Sequence, residues 1–333
     1  MITEEVASRQ RHVKTTMEHF NFVPSPYHNG QLEPSPGWMQ TKAINALTRC
    51  DSSYPYKWLG PFLELMLPEH CRRMLHQFGA LPQTSVVTAE WILRPYLALK
   101  MLIAATIMFS SLKYATAKGL RIVEPYLSYY ALLNTTRALM FCIPSIGWND
   151  GELLSARHSK IANVTTTHLR AIDDQLAARH EELWKKSLMA RELFSYRFPA
   201  KGLRGEISDI MPEWKDVLSH ARLLAEIAQV NSECLDDTCG NRKLPLDDPK
   251  FVDDDESNDL LRTFYLYEHK TAPIADDDDY YRLGRIINGP NSPQNLFHLA
   301  TDGLIEDAFG CWDFSTDAAD YRPLDEDILF DFC

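Results

Sequence analysis

Apolar positions fall into a helical period at about residue 94 and hold it to about residue 230. The stretch "RPYLALKMLIAATIMFSSLKYA" is apolar on nearly every side, which predicts a buried helix over about 94–115 with Pro95 in its first turn. A second helix is predicted from Val123 or Pro125, ending before Pro144, whose ring cannot continue it. A third is expected after "WND", where Asn149 or Asp150 can cap free amides, and it carries "GELLSARHSKIANV". The fourth, over about 171–196, sets Ile172, Leu176, Leu183, Ala190 and Phe194 on one face. A further amphipathic helix is predicted at about 211–230, with Trp214, Val217, Leu218, Ala221 and Leu224 on its apolar side. Four long helices with short connections predict a helical bundle.

Outside this span the periodicity breaks. The first ninety or so residues are rich in turn formers ("PSPYHNG", "EPSPGW", "SSYPYKWLGP"), with short helices expected at about 38–49 and 61–78. After residue 231, "RTFYLYEH" and "YYRLGRII" are aromatic and β-branched and predict short strands. "SPQNLFHLATDGLIEDAF" predicts a helix capped by Ser292 with Pro293 in its first turn. The fold expected is mainly α: a loop-rich lead-in with short helices over 1–88, a central four-helix bundle within 89–230, and a mixed, acidic region with short strands over 231–333.

With 333 residues, 45% hydrophobic and 24% charged, the chain has the composition of a globular protein with a sizeable core. A net charge of −12 excludes coating nucleic acid with the whole surface, but the charge is unevenly placed. From Arg157 to Arg204 ten Lys or Arg face five acids, whereas from Asn231 to Tyr281 fifteen acids face five bases. One segment can meet an anion and the other repels it. The seven cysteines are odd in number and scattered, and no leader-like pattern precedes them, so a cytoplasmic location is expected. The uncharged apolar run at 101–112 is well short of the roughly 20 residues of a membrane span and reads as a buried helix, with no membrane partner.

The candidate chemistry lies on the second helix, "SYYALLNTTRALMF". At 100° per residue, Tyr126, Tyr130, Asn134 and Arg137 form a polar and aromatic stripe beside an apolar arc of Leu132, Leu139, Tyr129, Met140 and Leu133. A guanidinium at that border is half buried. Arg137 therefore either pairs with a carboxylate of its own chain, with Asn134 capping a backbone group, or meets an anion from outside. His158 is either a helix-start histidine bonded to a backbone carbonyl or the group that completes a cleft.

"YYALLNTTRAL" followed by "HSKIAN" resembles the helix pair of HEPN-type helical bundles, and among them the YaaC-like branch, over about residues 90–196. The resemblance implies a four-helix bundle, often dimeric, found in ribonucleases of toxin and antiphage systems and in noncatalytic binding subunits. Active ribonucleases of that superfamily carry Arg-x4-6-His, which is absent from the predicted bundle. The one such spacing in the chain, Arg262 to His269, falls in the acidic region. What can substitute is Arg137 holding developing charge and His158 acting as base, with Tyr130, Asn134 and Lys160 binding substrate. Two readings follow: an RNA-binding or RNA-cleaving protein of a bacterial defence or toxin-type system, or a noncatalytic subunit that dimerises and binds a protein partner through its acidic C-terminal region.

Other signals carry less chemistry. Cys234 and Cys239 lack a second pair at metal-finger spacing and are expected as free thiols. "HEEL" at His180 lacks the Pro-Cys-x-x-Cys half of a zinc deaminase and reads as a solvated helix face. The acidic runs at 252–259 and 276–279 read as solvated loops, and Arg170, Lys185 and Lys186 as outer-face charges. No phosphate-cradling glycine loop and no Gly-x-Ser-x-Gly elbow occurs, which excludes P-loop hydrolysis and serine-esterase chemistry. No metal or cofactor is expected. The tail "PLDEDILFDFC" alternates acids with apolar residues, as a partner-docking segment or a sealing strand does.

Overall fold

A computed structural model describes residues 56–59, 67–82, 84–148, 152–198, 200, 211–240, 279, 282, 283, 286 and 292–300. The described residues are mainly helical and contain no strand. The helices are α1 (Leu67–Gly79), α2 (Ser85–Ala117), α3 (Glu124–Phe141), α4 (His158–Arg170), α5 (Asp174–Glu192), α6 (Trp214–Gly240) and the short α7 (Leu296–Leu299).

Helix α2 begins well before the predicted start. Thr84 accepts from the Val87 amide and caps it, so Pro95 lies inside the helix and not in its first turn. A proline there removes one backbone hydrogen bond and costs about 3 kcal/mol. Burial of Trp91, Ile92, Leu93, Tyr96, Leu97 and Leu99 around it offsets that cost. By length and composition alone α2 could cross a membrane, and 72% of its most apolar window is buried inside the protein. It fills the interior of this fold.

Helix α3 has Pro125 in its first turn, as predicted, and stops at Phe141. Arg94, fully buried, holds that end: its guanidinium donates to the carbonyls of Phe141, Ile143 and Ile146, each at 2.8 Å, and pairs with Glu90. The Phe141 carbonyl is of the kind that a helix end leaves unpaired. Helix α4 starts later than predicted, at His158. Residues 152–155 form turns around the buried Leu153, and the expected caps Asn149 and Asp150 lie outside the described residues. Helix α5 is capped by Asp173, which accepts from the Leu176 amide at 2.7 Å, and it passes into a single π turn at Leu193–Arg197.

Helix α3 packs on α2, α4, α5 and α6, and α1 packs on α6. One continuous core runs from Tyr56 and Leu59 through these helices to Leu283, Leu296 and Leu299. The expected boundaries at 88/89 and 230/231 fall within α2 and α6. Two contacts tie distant segments to this core. The buried Glu226 on α6 accepts from the backbone amides of Lys57, Trp58 and Leu59 at 2.6, 2.8 and 2.7 Å. Asp279 accepts from the Tyr96 hydroxyl at 2.5 Å and pairs with Lys100.

Two C-terminal expectations change. Within "DDDDYYRLGRII", the described residues Asp279, Arg282, Leu283 and Ile286 are helical, not strand. Asp279, Leu283 and Ile286 are spaced i, i+4, i+7 and are all buried, so Asp279 is a core ion-pair partner and not a loop charge. The cap of α7 is Asn295, which accepts from the His298 amide, and not Ser292. "RTFYLYEH", Arg262, His269, the run at 252–259, the helix expected at 38–49 and the C-terminal tail lie outside the described residues.

Candidate functional site

The side chains of interest meet where α3, the start of α4 and the end of α5 come together. Helix α3 contributes Tyr129, Tyr130 and Arg137, α4 contributes His158, and α5 contributes Trp184 and Arg191. Tyr129 is fully buried, and its hydroxyl lies 2.7 Å from His158 Nδ1. Its ring packs edge-on against Tyr130 and Trp184. Arg191 lies over both tyrosine rings, 5.6 and 5.7 Å from their centroids, and donates to the Tyr130 hydroxyl at 3.1 Å.

Arg137 stands apart from every other buried cation described. It is half buried, its Nε is sealed from solvent with no hydrogen-bond partner, and among the described residues it forms no ion pair. Burial lowers its pKa from the ordinary guanidinium value, with the Tyr129 hydroxyl acting in the opposite direction. Arg191 also lacks a carboxylate partner among the described residues, and its bond to Tyr130 raises its pKa. The surface cations behave differently: Arg170 pairs with Glu181, Lys186 with Glu182, and Arg179 with Glu182 and Asp216.

The electrostatics of this cluster fix two protonation states. Burial lowers the His158 pKa below the usual histidine value, and Arg137 and Arg191 lower it further, so the ring is neutral at pH 7. Burial pushes the Tyr129 hydroxyl up to about 12, and it keeps its proton. Two tautomers then satisfy the bond between them. With Tyr129 donating to Nδ1, His158 Nε2 carries a hydrogen and can donate to an anion. With Nδ1–H donating to Tyr129, Nε2 is bare and can accept a proton.

The sequence-predicted residues do not all arrive here. Arg137 and His158 do: Arg137 acts electrostatically on both Tyr129 and His158. Tyr130 binds Arg191. Asn134 does not join them: its Nδ2 contacts Met108 Sδ on α2 at 3.5 Å. Lys160 is exposed, and two residues along a helix turn it about 200° from His158. Among the described residues Arg137 pairs with no carboxylate of its own chain, and His158 Nδ1 bonds a side chain, not a backbone carbonyl.

Sequence reasoning missed Tyr129 and Arg191. The available signal was the spacing His180, Trp184, Ser187, Arg191, which is i, i+4, i+7, i+11 on α5. That stripe also corrects His180, expected on a solvated face: it is fully buried and stacks on His220, Nδ1 to Nε2 at 3.0 Å. Cys71 and Cys142 are free thiols and, like Cys234, are buried. Among the described residues no group of three or more His, Cys, Asp or Glu is placed to hold a metal ion. Compared with protein-family models, curated proteins and solved structures, the chain matches none.

Proposed function

We propose that this chain is a HEPN-like helical-bundle protein that binds RNA through its phosphodiester backbone at the Tyr129, Arg137, His158 and Arg191 cluster, in a bacterial defence or toxin-type system. The observation that carries the binding site is Arg137. A buried guanidinium nitrogen without a partner costs on the order of 1–3 kcal/mol, and more than nine in ten buried polar groups avoid that cost. An anion entering beside it restores the missing interaction. Arg191 supplies a second cation that no carboxylate among the described residues neutralises, and two tyrosine rings lie beneath it. The excess of basic residues between Arg157 and Arg204 favours the approach of a polyanion. The helix pair "YYALLNTTRAL" and "HSKIAN" supplies the HEPN-like part of the reading and, with it, the choice of RNA and of a defence role.

Binding is measured by fluorescence anisotropy with labelled RNA at several salt concentrations. Arg137→Ala is expected to weaken it about tenfold or more, and to flatten the slope of log K against log salt by about one counterion. Equal affinity and slope in wild type and Arg137→Ala would remove the site.

Cleavage is a second reading, favoured by the neutral His158 whose Nδ1 is fixed by Tyr129. In the tautomer with bare Nε2, His158 takes the proton of a 2′-hydroxyl while Arg137 stabilises charge on the phosphoryl oxygens. Incubating purified protein with end-labelled RNA in chelator tests it. Fragments ending in cyclic phosphate that vanish in His158→Ala are the expected result, and intact RNA in both would leave binding alone.

A further inference from the structure

The cation cluster continues outward onto the π turn that ends α5. Among the described residues the two most exposed large hydrophobic side chains are both there, Tyr196 at 75% and Phe198 at 65%. Arg191 stands over three tyrosine rings at once, with Tyr196 as the third at 5.7 Å. Tyr129 and Tyr130 are the buried and half-buried members of that set; only Tyr196 turns its ring to solvent. Phe198 is not a loose side chain either. It packs edge-on against the buried Phe194, with centroids 6.4 Å apart and planes at 87°. Its backbone has φ 24° and ψ 91°, in the left-handed region that a bulky residue rarely adopts. Such strain persists where the surroundings hold it, commonly at binding sites.

Two exposed rings two residues apart, one of them beside a cation that no carboxylate among the described residues pairs, have the composition of a base-stacking platform. A patch of this kind suits a planar, electron-rich ring linked to an anion. It is too small and too close to positive charge to suit an extended apolar protein surface.

We infer that Tyr196 and Phe198 form a stacking subsite for an unpaired nucleobase, next to the phosphate held by Arg137 and Arg191, so that the RNA bound is single-stranded. The inference rests on the phosphodiester reading of the cluster. It selects single strands because a base inside a duplex has both faces covered by its neighbours.

The test uses the full chain and three labelled probes: a short oligoadenylate, an abasic chain of equal length, and an RNA duplex. Wild type is expected to bind oligoadenylate about tenfold more tightly than the abasic chain, since each stacked base contributes a factor of that order. Tyr196→Ala and Phe198→Ala bring oligoadenylate down to the abasic level without changing the thermal midpoint, and Tyr196→Trp restores the difference. Equal binding of oligoadenylate and the abasic chain by wild type overturns the subsite. So does a preference for bases that survives Tyr196→Ala while Arg137→Ala abolishes binding, and in that case the phosphate site stands alone. Tighter binding of the duplex than of oligoadenylate also overturns the inference. If wild type binds none of the three, the phosphodiester reading falls and the subsite with it.

Discussion

Arg94 and Arg137 lie on adjacent packed helices, and their surroundings treat the same guanidinium in opposite ways. Arg94 is fully buried and its donors are used: three carbonyls beyond and at the end of α3, the carboxylate of Glu90, and the ring of Trp91 beneath it at 3.9 Å. Arg137 is less deeply placed, yet among the described residues its Nε has no partner and no carboxylate answers its charge. Burial lowers the pKa of both, but only Arg94 has a carboxylate acting to raise it again. Arg94 is a part of the scaffold and Arg137 is a group held ready. Burial by itself does not separate structure from function; the list of partners does.

The largest effect that tests this contrast is Arg94→Met. It removes the Arg94 bonds to the carbonyls of Phe141, Ile143 and Ile146, of which Ile143 keeps the Ile146 amide, leaves Glu90 without its cation, and is expected to cost about 3–5 kcal/mol in urea unfolding. A loss below about 1 kcal/mol would place Arg94 in the same class as Arg137.

The next effect follows from other buried ionisable groups. Burial lowers His70 and His180 to about 4, and His168 and His220 well below the usual value. A lowered histidine pKa means that the folded state binds fewer protons than the unfolded one, so stability falls as pH drops below about 6.5 toward 4. Glu226 has the opposite sign. Burial raises its carboxyl to about 7, so its contribution is complete below about pH 4.5 and is lost as pH rises through 7. The four histidines outweigh the one carboxyl, so the expected net result is a loss of stability between pH 6.5 and 4, followed by urea midpoints. Glu226→Gln should make that acid loss steeper, and an unchanged slope would show that the Glu226 carboxyl binds its proton equally well in the folded and unfolded chain.

Arg137→Met should cost nothing, or should stabilise by about 1 kcal/mol, because it removes a buried group that has no partner. A thermal midpoint lowered as far as in Arg94→Met would make Arg137 scaffold. The smallest effect belongs to Asn134→Leu. Its only side-chain bond among the described residues is a weak one to a thioether, so stability should change by less than about 0.5 kcal/mol and RNA affinity not at all. An affinity loss near that of Arg137→Ala would bring Asn134 back into the site.

Helix periods were legible because each buries a recurrent face, and α3, α5 and α6 follow their predicted spans to within a turn or so at most ends. The start of α2 was not, since Pro95 is read as a first-turn residue when the apolar surface that overrides it lies on other helices. The helical state at Asp279 and Leu283 was hidden by aromatic, β-branched neighbours whose local preference is extended. For the site, the stripe holding Tyr130 and Arg137 could be seen on a helical wheel. Tyr129 could not, because its ring belongs to the core and its contact with His158 forms only when α4 is set against α3. Arg191 reads as one more surface cation until α5 is set against α3. What a wheel cannot supply is the partner, and partners distinguish these residues.

The grip of Glu226 on the amides of residues 57–59 has a consequence in time. Trp58 and Leu59 leave the ribosome 168 and 167 positions ahead of the carboxylate that receives them. At roughly 5–20 residues per second, that stretch of backbone waits on the order of ten seconds or more for its acceptor. During synthesis its seat in the core is therefore among the later ones to be filled, after α2 and α3 have emerged and been able to pair. The beginning of the described chain is fastened by one of its later helices, and a truncation before α6 would leave that end without a place to go.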